Sequence, residues 1–238
     1  MPSMIRPTLN MRQQCRWHGY TTTTALENAA LQAILTASQQ AILERNTFHI
    51  VLAGGSTPRQ IYELIRTQTT DWNAWHIYFG DERCLPADHP DRNSSMATQA
   101  WLSHVDIPLN QIHLIPAEQG PERAATIYAQ ILNDIDMFDL VLLGLGEDGH
   151  TASLFPHHEW GTSADAPATL AIYDAPKSPP ERVSLSARRL SQSRQVMFLI
   201  TGAAKRQAVQ NWRNGNSIPA TAVVPHSNID VYLEKELL

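Results

Sequence analysis

Four times along this chain a short apolar run stops at glycine. Phe48 to Ala53 ends at Gly54-Gly55, Trp75 to Phe79 at Gly80, and Phe138 to Leu143 at Gly144-Leu145-Gly146, while Gly202 closes Val196 to Ile200. Runs this short, apolar without alternation, suit strands buried on both faces. Helical patterns lie between them. Thr57-Pro58 reads as an N-cap and first helical residue, with Ile61, Leu64 and Ile65 as the apolar face. A polar stretch from Pro86 leads to a helix expected over Ser95 to Ser103. Pro121 opens another, to about Asn133, and a last helix runs through Arg213. Trp17 to Tyr20 and Ile112 to Ile115 read as short strands. Thr24 with Glu27 forms a capping box for a helix over Ala25 to about Leu43.

This alternation predicts an α/β fold: a three-layer, Rossmann-like arrangement, mostly parallel, with helices on both faces of the sheet. One domain over residues 1–238 is expected. The Pro-rich stretch from Pro176 to Pro180 is a crossing loop rather than a linker, because it runs straight into Arg182-Val183-Ser184-Leu185. In open parallel sheets ligands sit beyond the carboxyl ends of the strands. The loops after Ala53, Phe79, Leu143 and Ile200 are therefore expected to share one edge.

Composition narrows the function. With 43% hydrophobic and 17% charged residues the chain has enough apolar material for a core. Its formal net charge of −5 argues against a nucleic-acid partner, so an anionic ligand needs a local basic cluster. Cys15 and Cys84 make no CxxC pair and no disulfide framework, consistent with reduced thiols in the cytoplasm. Apolar runs such as Leu140 to Leu145 are too short to span a membrane. The segment before Glu27 lacks a signal-peptide core. It carries Arg6, Arg12 and Arg16 and no acid, as a transit peptide would, but the strand character of Trp17 to Tyr20 argues against that reading.

Three loops carry candidate chemistry. Gly54-Gly55-Ser56-Thr57-Pro58 lets the backbone approach a ligand and offers helix-start amides to an anion. An ordinary capped turn fits the same residues. The segment is neither a Walker A loop nor a GxGxxG. Gly144-Leu145-Gly146-Glu147-Asp148-Gly149-His150 presents a carboxylate and an imidazole from one turn. The imidazole takes a proton near neutral pH, and a carboxylate orients it. Asp81-Glu82-Arg83 is either a solvated turn or a site, with Arg83 offering a planar fork to phosphate. Arg182 and Lys205 are single cations near strand ends. Lys205, at a helix start where a cation opposes the dipole, makes more sense with an anion bound. His157, His158 and Glu159 beside His150 have no recognised metal spacing, so no metal is expected, and without a GxSxG elbow a serine-hydrolase reading has little support.

These blocks in this order resemble the 6-phosphogluconolactonase family, of the same fold group as glucosamine-6-phosphate deaminase. They are LAGGSTPRQIYELI from Leu52, YFGDERCLPADHPDRNSSMA from Tyr78, FDLVLLGLGEDGHTASLFP from Phe138, PPERVSLS from Pro179 and TGAAK from Thr201. The resemblance implies a cytoplasmic enzyme of the pentose phosphate pathway that hydrolyses 6-phospho-D-glucono-1,5-lactone without a cofactor. It implies His150 as general base, with Asp148, Asp81 and Arg83 in active-site motifs. It also implies Gly54, Gly55, Ser56, Arg182 and Lys205 around the phosphate, with Asn93 among the substrate contacts. The family often has Ser before that Asn. Here Arg92 precedes it, either adding a phosphate contact or facing solvent.

Two rival functions share much of this pattern. An amino-sugar-phosphate isomerase or deaminase would use the same architecture, but the text Asp81-Glu82-Arg83-Cys84-Leu85-Pro86 looks like the lactonase version. A sugar-phosphate sensor of a transcription regulator would need a DNA-binding module, and no basic helix-turn-helix stretch is evident.

Overall fold

The computed structural model describes residues 13–238. Arg6 and Arg12 of the arginine-bearing amino-terminal stretch lie outside them. The elements run β1 (Cys15–Tyr20), α1 (Thr23–Arg45), β2 (Phe48–Leu52), α2 (Ser56–Ile65), β3 (Trp75–Phe79), β4 (Asp81–Arg83), α3 (Asn93–Ala100) and α4 (Pro121–Ile131). They continue through β5 (Phe138–Gly144), β6 (Thr169–Ile172), β7 (Arg182–Leu185), α5 (Ala187–Ser191), β8 (Ser193–Ile200), α6 (Arg206–Arg213) and β9 (Ile229–Glu234).

Six strands form one parallel sheet in the order β1-β9-β8-β5-β2-β3, flanked by helices. The α/β, Rossmann-like expectation holds. All four glycine-terminated runs are strands of this sheet, and Phe48, Ile50, Trp75, Phe138, Leu140 and Phe198 are fully buried. From β2 the chain moves to β3 on one side, whereas β5 lies on β2's other side and leads on to β8. The boundary between β2 and β5 is thus a topological switch point, where the loops leaving the strands diverge and open a crevice.

A second, antiparallel sheet, β4-β7-β6, was not foreseen. Gly80 carries the chain from one sheet to the other. Its N–H donates to the Leu52 carbonyl at 3.0 Å, and its carbonyl accepts from Leu185 N at 2.8 Å. Val183 and Leu185 belong to the same hydrophobic cluster as the main-sheet core.

Some boundaries differ from expectation. Helix α1 is capped by Thr22, whose hydroxyl accepts from Ala25 N at 3.1 Å, not by a Thr24–Glu27 box. Helix α3 begins at Asn93, two residues early, because a buried carboxylate caps it, as described below. Ile112 to Ile115 forms no strand, only a single parallel bridge from Ile112 to Ile77. Strand β9 is an addition, and its Asp230 binds Arg16 of β1 through both carboxylate oxygens, at 2.8 and 2.6 Å. No helix of the described residues is long and apolar enough to cross a membrane.

Candidate active site

A cleft of about 370 Å³ opens over the carboxyl ends of β2, β3, β5 and β8. The loops after Ala53, Phe79, Leu143 and Ile200 all reach it, as the glycine-terminated runs predict. Gly54, Gly55 and Ser56 form one wall; Asp81, Arg83 and Asn93 form a second; His150, Arg182 and Lys205 also face it. Asp148 stands behind His150 rather than in the lining.

The first wall exists because of two glycines. Gly55 has φ +110°, a conformation L side chains avoid, and leads directly into α2. A Cβ at Gly54 would sit 2.0 Å from Asn93 Oδ1. No side chain caps α2, and Thr57 Oγ1 meets Thr201 Oγ1 at 2.6 Å, tying this loop to the end of β8. First-turn amides left without a side-chain acceptor suit an anion.

The second wall is a buried hydrogen-bond network. Asn93 Nδ2 donates to the Asp81 carbonyl at 2.9 Å and to Asp81 Oδ1 at 3.0 Å. Ser153 Oγ donates to Asp81 Oδ2 at 2.5 Å. Glu82, only 1% exposed, accepts from the amides of Arg83, Asn93 and Ser94 at 2.8–2.9 Å and so caps α3 from a neighbouring strand. Arg92 lies 3.5 Å from Glu82, donates Nη1 to Glu118 at 2.9 Å and Nη2 to the Ile115 carbonyl at 2.7 Å. At 2% exposure it neither faces solvent nor reaches the cleft. Both sequence-based alternatives for Arg92 are corrected: its charge is consumed in holding this wall.

His150 Nδ1 lies 2.5 Å from Asp148 Oδ1, and the His150 amide donates to the same oxygen at 3.2 Å. Phe155 packs at 4.8 Å between ring centroids. The dyad fits only because Gly146 has no side chain: a Cβ there would meet His150 Nδ1 at 2.0 Å and Asp148 Oδ1 at 2.6 Å. Burial pushes the imidazole below its ordinary value of about 6.5. Asp148 pulls the other way, and the charge of Lys177 reinforces burial. Burial would raise the Asp148 carboxyl, but the imidazole and backbone donors outweigh it and hold it below the usual range. The dyad thus presents a neutral imidazole beside a carboxylate at neutral pH. With Nδ1 turned to Asp148, Nε2 remains to take a proton.

The remaining cations have different partners. Lys205, the residue preceding α6, has Glu147 at 4.0 Å. Arg182, 6% exposed, donates Nε to the Pro179 carbonyl at 3.0 Å, and Nη2 to those of Lys177 at 2.9 Å and Ser178 at 3.3 Å. Arg83 donates to the Asp91 carbonyl. Lys177, Ser178 and Thr201 line the cleft and were not anticipated. Lys177 sits in a Pro-rich loop with no periodic signal, and its placement comes from Arg182 five residues later.

His157, His158 and Glu159 line a separate hollow with Trp160, and His158 pairs with Asp174 at 3.0 Å. Among the described residues no three His, Cys, Asp or Glu side chains converge as metal ligands. Burial raises the Cys84 thiol to about 11, so it is no nucleophile at neutral pH.

A switch-point crevice, an uncapped helix start and a His–Asp dyad define an α/β protein whose cleft suits an anionic ligand and proton transfer. The chain belongs to the glucosamine-6-phosphate isomerase/6-phosphogluconolactonase family, which matches residues 21–232. It is 40% identical to a Synechocystis protein named 6-phosphogluconolactonase over 189 residues, 76% of this chain and 77% of that one. It is 34% identical to the Mycobacterium tuberculosis 6-phosphogluconolactonase over 225 residues, 87% and 91% of the two chains. The solved 6-phosphogluconolactonase of Thermotoga maritima superposes with a TM-score of 0.84 at 27% identity, covering 94% of this chain and all of that one. A monomeric glucosamine-6-phosphate deaminase shares the fold, with a TM-score of 0.77 at 22% identity.

Proposed function

We propose that this chain, acting as one domain, hydrolyses 6-phospho-D-glucono-1,5-lactone to 6-phospho-D-gluconate in the pentose phosphate pathway. The observation that carries the reading is the His150–Asp148 pair, set by Gly146 at a cleft that an uncapped helix start also lines. The phosphate lies on Gly54, Gly55, Ser56 and the first amides of α2, with Lys205 supplying charge. Asp81, fixed by Asn93 and Ser153, and Arg83 order the sugar from the second wall.

Water gives a proton to His150 Nε2 as its oxygen bonds to the lactone carbonyl carbon. The carbonyl π pair moves onto the exocyclic oxygen. When that intermediate collapses, the carbon–ring oxygen bond breaks and the proton returns from Nε2 to the ring oxygen. Such base catalysis is worth roughly 10²–10⁴-fold. Its chemistry needs no metal ion, and the groups that carry it are side chains and amides.

The deaminase reading shares the fold but calls for a different product. The test is to give purified protein fresh 6-phosphogluconolactone and, separately, glucosamine 6-phosphate, after exhaustive EDTA treatment. The reading predicts acid release well above spontaneous opening from the first and no ammonia from the second. Ammonia release, or lactone opening that vanishes on chelation and returns with zinc, would contradict it.

A further inference from the structure

Lactone opening places negative charge at two ends of one molecule: the phosphate throughout, and the former carbonyl, first as an oxyanion and then as a carboxylate. The phosphate end is accounted for by the start of α2 and Lys205. At the other end several neighbouring donors are already engaged, although Arg83, whose Nη1 is bound to the Asp91 carbonyl, keeps a buried Nε without a partner among the described residues. The Gly146 amide donates to the His150 carbonyl at 2.7 Å. Asn93 Nδ2 is held by Asp81, the Ser153 hydroxyl points to Asp81, and Arg182 Nε and Nη2 are bound to loop carbonyls. Lys177 differs. It lines the cleft, its ammonium forms no ion pair or hydrogen bond among the described residues, and its charge is felt at His150.

We infer that Lys177 is the cation that stabilises the charge developing on the lactone carbonyl, and that Arg182 is a positioning residue that holds the Lys177–Pro180 loop over the cleft. This assignment rests on the lactonase reading and replaces the sequence-based expectation that Arg182 binds the phosphate. Arg182 suits the task. It is buried at the start of β7, opposite Arg83 of β4, and three carbonyls of one loop converge on its guanidinium. A fork of fixed donors orders a loop where a lysine would not. Lys177, on the exposed loop, keeps a mobile ammonium free for the ligand.

The experiment measures turnover of the lactone together with binding of two stable phosphates, 6-phosphogluconate and sorbitol 6-phosphate. Only the first carries the carboxylate. For Lys177→Met, kcat is expected to fall about 10²-fold, the typical loss for one oxyanion donor. Affinity for 6-phosphogluconate is expected to fall roughly tenfold, while sorbitol 6-phosphate binds as before. Lys177→Arg is expected to recover part of both losses. Arg182→Gln is expected to lower kcat without weakening sorbitol 6-phosphate, and to add little to the Lys177→Met defect, since both act through one group. Equal loss of affinity for the two phosphates in Lys177→Met would make Lys177 a phosphate ligand and overturn the assignment, as would an unchanged kcat. Loss of sorbitol 6-phosphate binding in Arg182→Gln would return Arg182 to the phosphate. Should the buried Arg182 variant fail to fold, the two Lys177 variants decide alone. Wild-type protein that opens no lactone and binds neither compound would overturn the lactonase reading itself, an outcome separate from all of these.

Discussion

Gly146 shows how much of the site depends on a missing side chain. Any Cβ there must push His150 and Asp148 apart, because it would lie 2.0 and 2.6 Å from their facing atoms. Gly146→Ala is therefore expected to lower kcat roughly 10²-fold, the scale of a misplaced catalytic group, with the melting temperature nearly unchanged. A variant with full activity would mean the dyad needs no such approach. Asp148 has a separable signature. It raises the His150 pKa against burial, so Asp148→Asn should move the acid limb of the kcat/KM profile to lower pH while kcat itself falls. A limb that stays put, or moves upward, would disprove the coupling.

At the scale of elements, α3 and β4 depend on one another through Glu82. Its carboxylate satisfies helix-start amides that no local side chain reaches, and Arg92 neutralises it from the far side. Removing one partner of a buried pair typically costs about 3–5 kcal/mol. Glu82→Ala should lose that much in denaturant unfolding, and Arg92→Ala a comparable amount, with the double variant well short of the sum. Full additivity would show that the two do not act as a pair. This pairing also explains a sequence that looks out of place. A charged triplet that the sequence left open as a solvated turn or a site is a strand, and an arginine expected to face solvent or phosphate is buried, because each meets its counter-charge only in the folded chain.

The whole molecule carries a second titrating feature, away from the cleft, near the amino ends of β2 and β3. His49 stacks on His76 at 4.6 Å between centroids, and His113 stacks on Tyr78 at 4.5 Å and lies 3.5 Å from His76. Burial, with the neighbouring histidines, Arg189 and Arg45, lowers His49 to about 4, and burial lowers His76 and His113 as well. Asp139 does not offset this at the ring, since it binds Arg45 and the His49 amide. Between the unfolded value of about 6.5 and about 4, the unfolded chain holds the extra proton. Stability should therefore be whole above pH 6.5 and be lost as pH falls through that window. His49→Gln should flatten this slope in thermal melts, and an unchanged slope would remove the cluster from the account.

Four strands of the main sheet, β2, β3, β5 and β8, were legible because continuous apolar runs ending in glycine leave little choice. Asp148 and His150 were legible because they follow one such run. Strands β6 and β7 were not, being four residues each and paired to one another across the Pro-rich loop, and neither was β9, whose Asp230 is satisfied by Arg16, His18 and Gln195, all distant from it along the chain. Lys177 was hidden for the same reason, since bonds from Arg182 put it in the cleft.

The central claim is that His150 activates the water that opens the lactone. The measurement that tests it most directly is the initial rate on fresh 6-phosphogluconolactone from pH 5 to 8, corrected for spontaneous opening, for wild type and His150→Ala beside 6-phosphogluconate binding. The expected outcome is a wild-type rate that falls only at acid pH, below the ordinary histidine value, as burial of the imidazole dictates. In His150→Ala, kcat should drop by about 10²–10⁴-fold with the product bound nearly as tightly. A folded His150→Ala protein that keeps the wild-type rate and pH profile would contradict it.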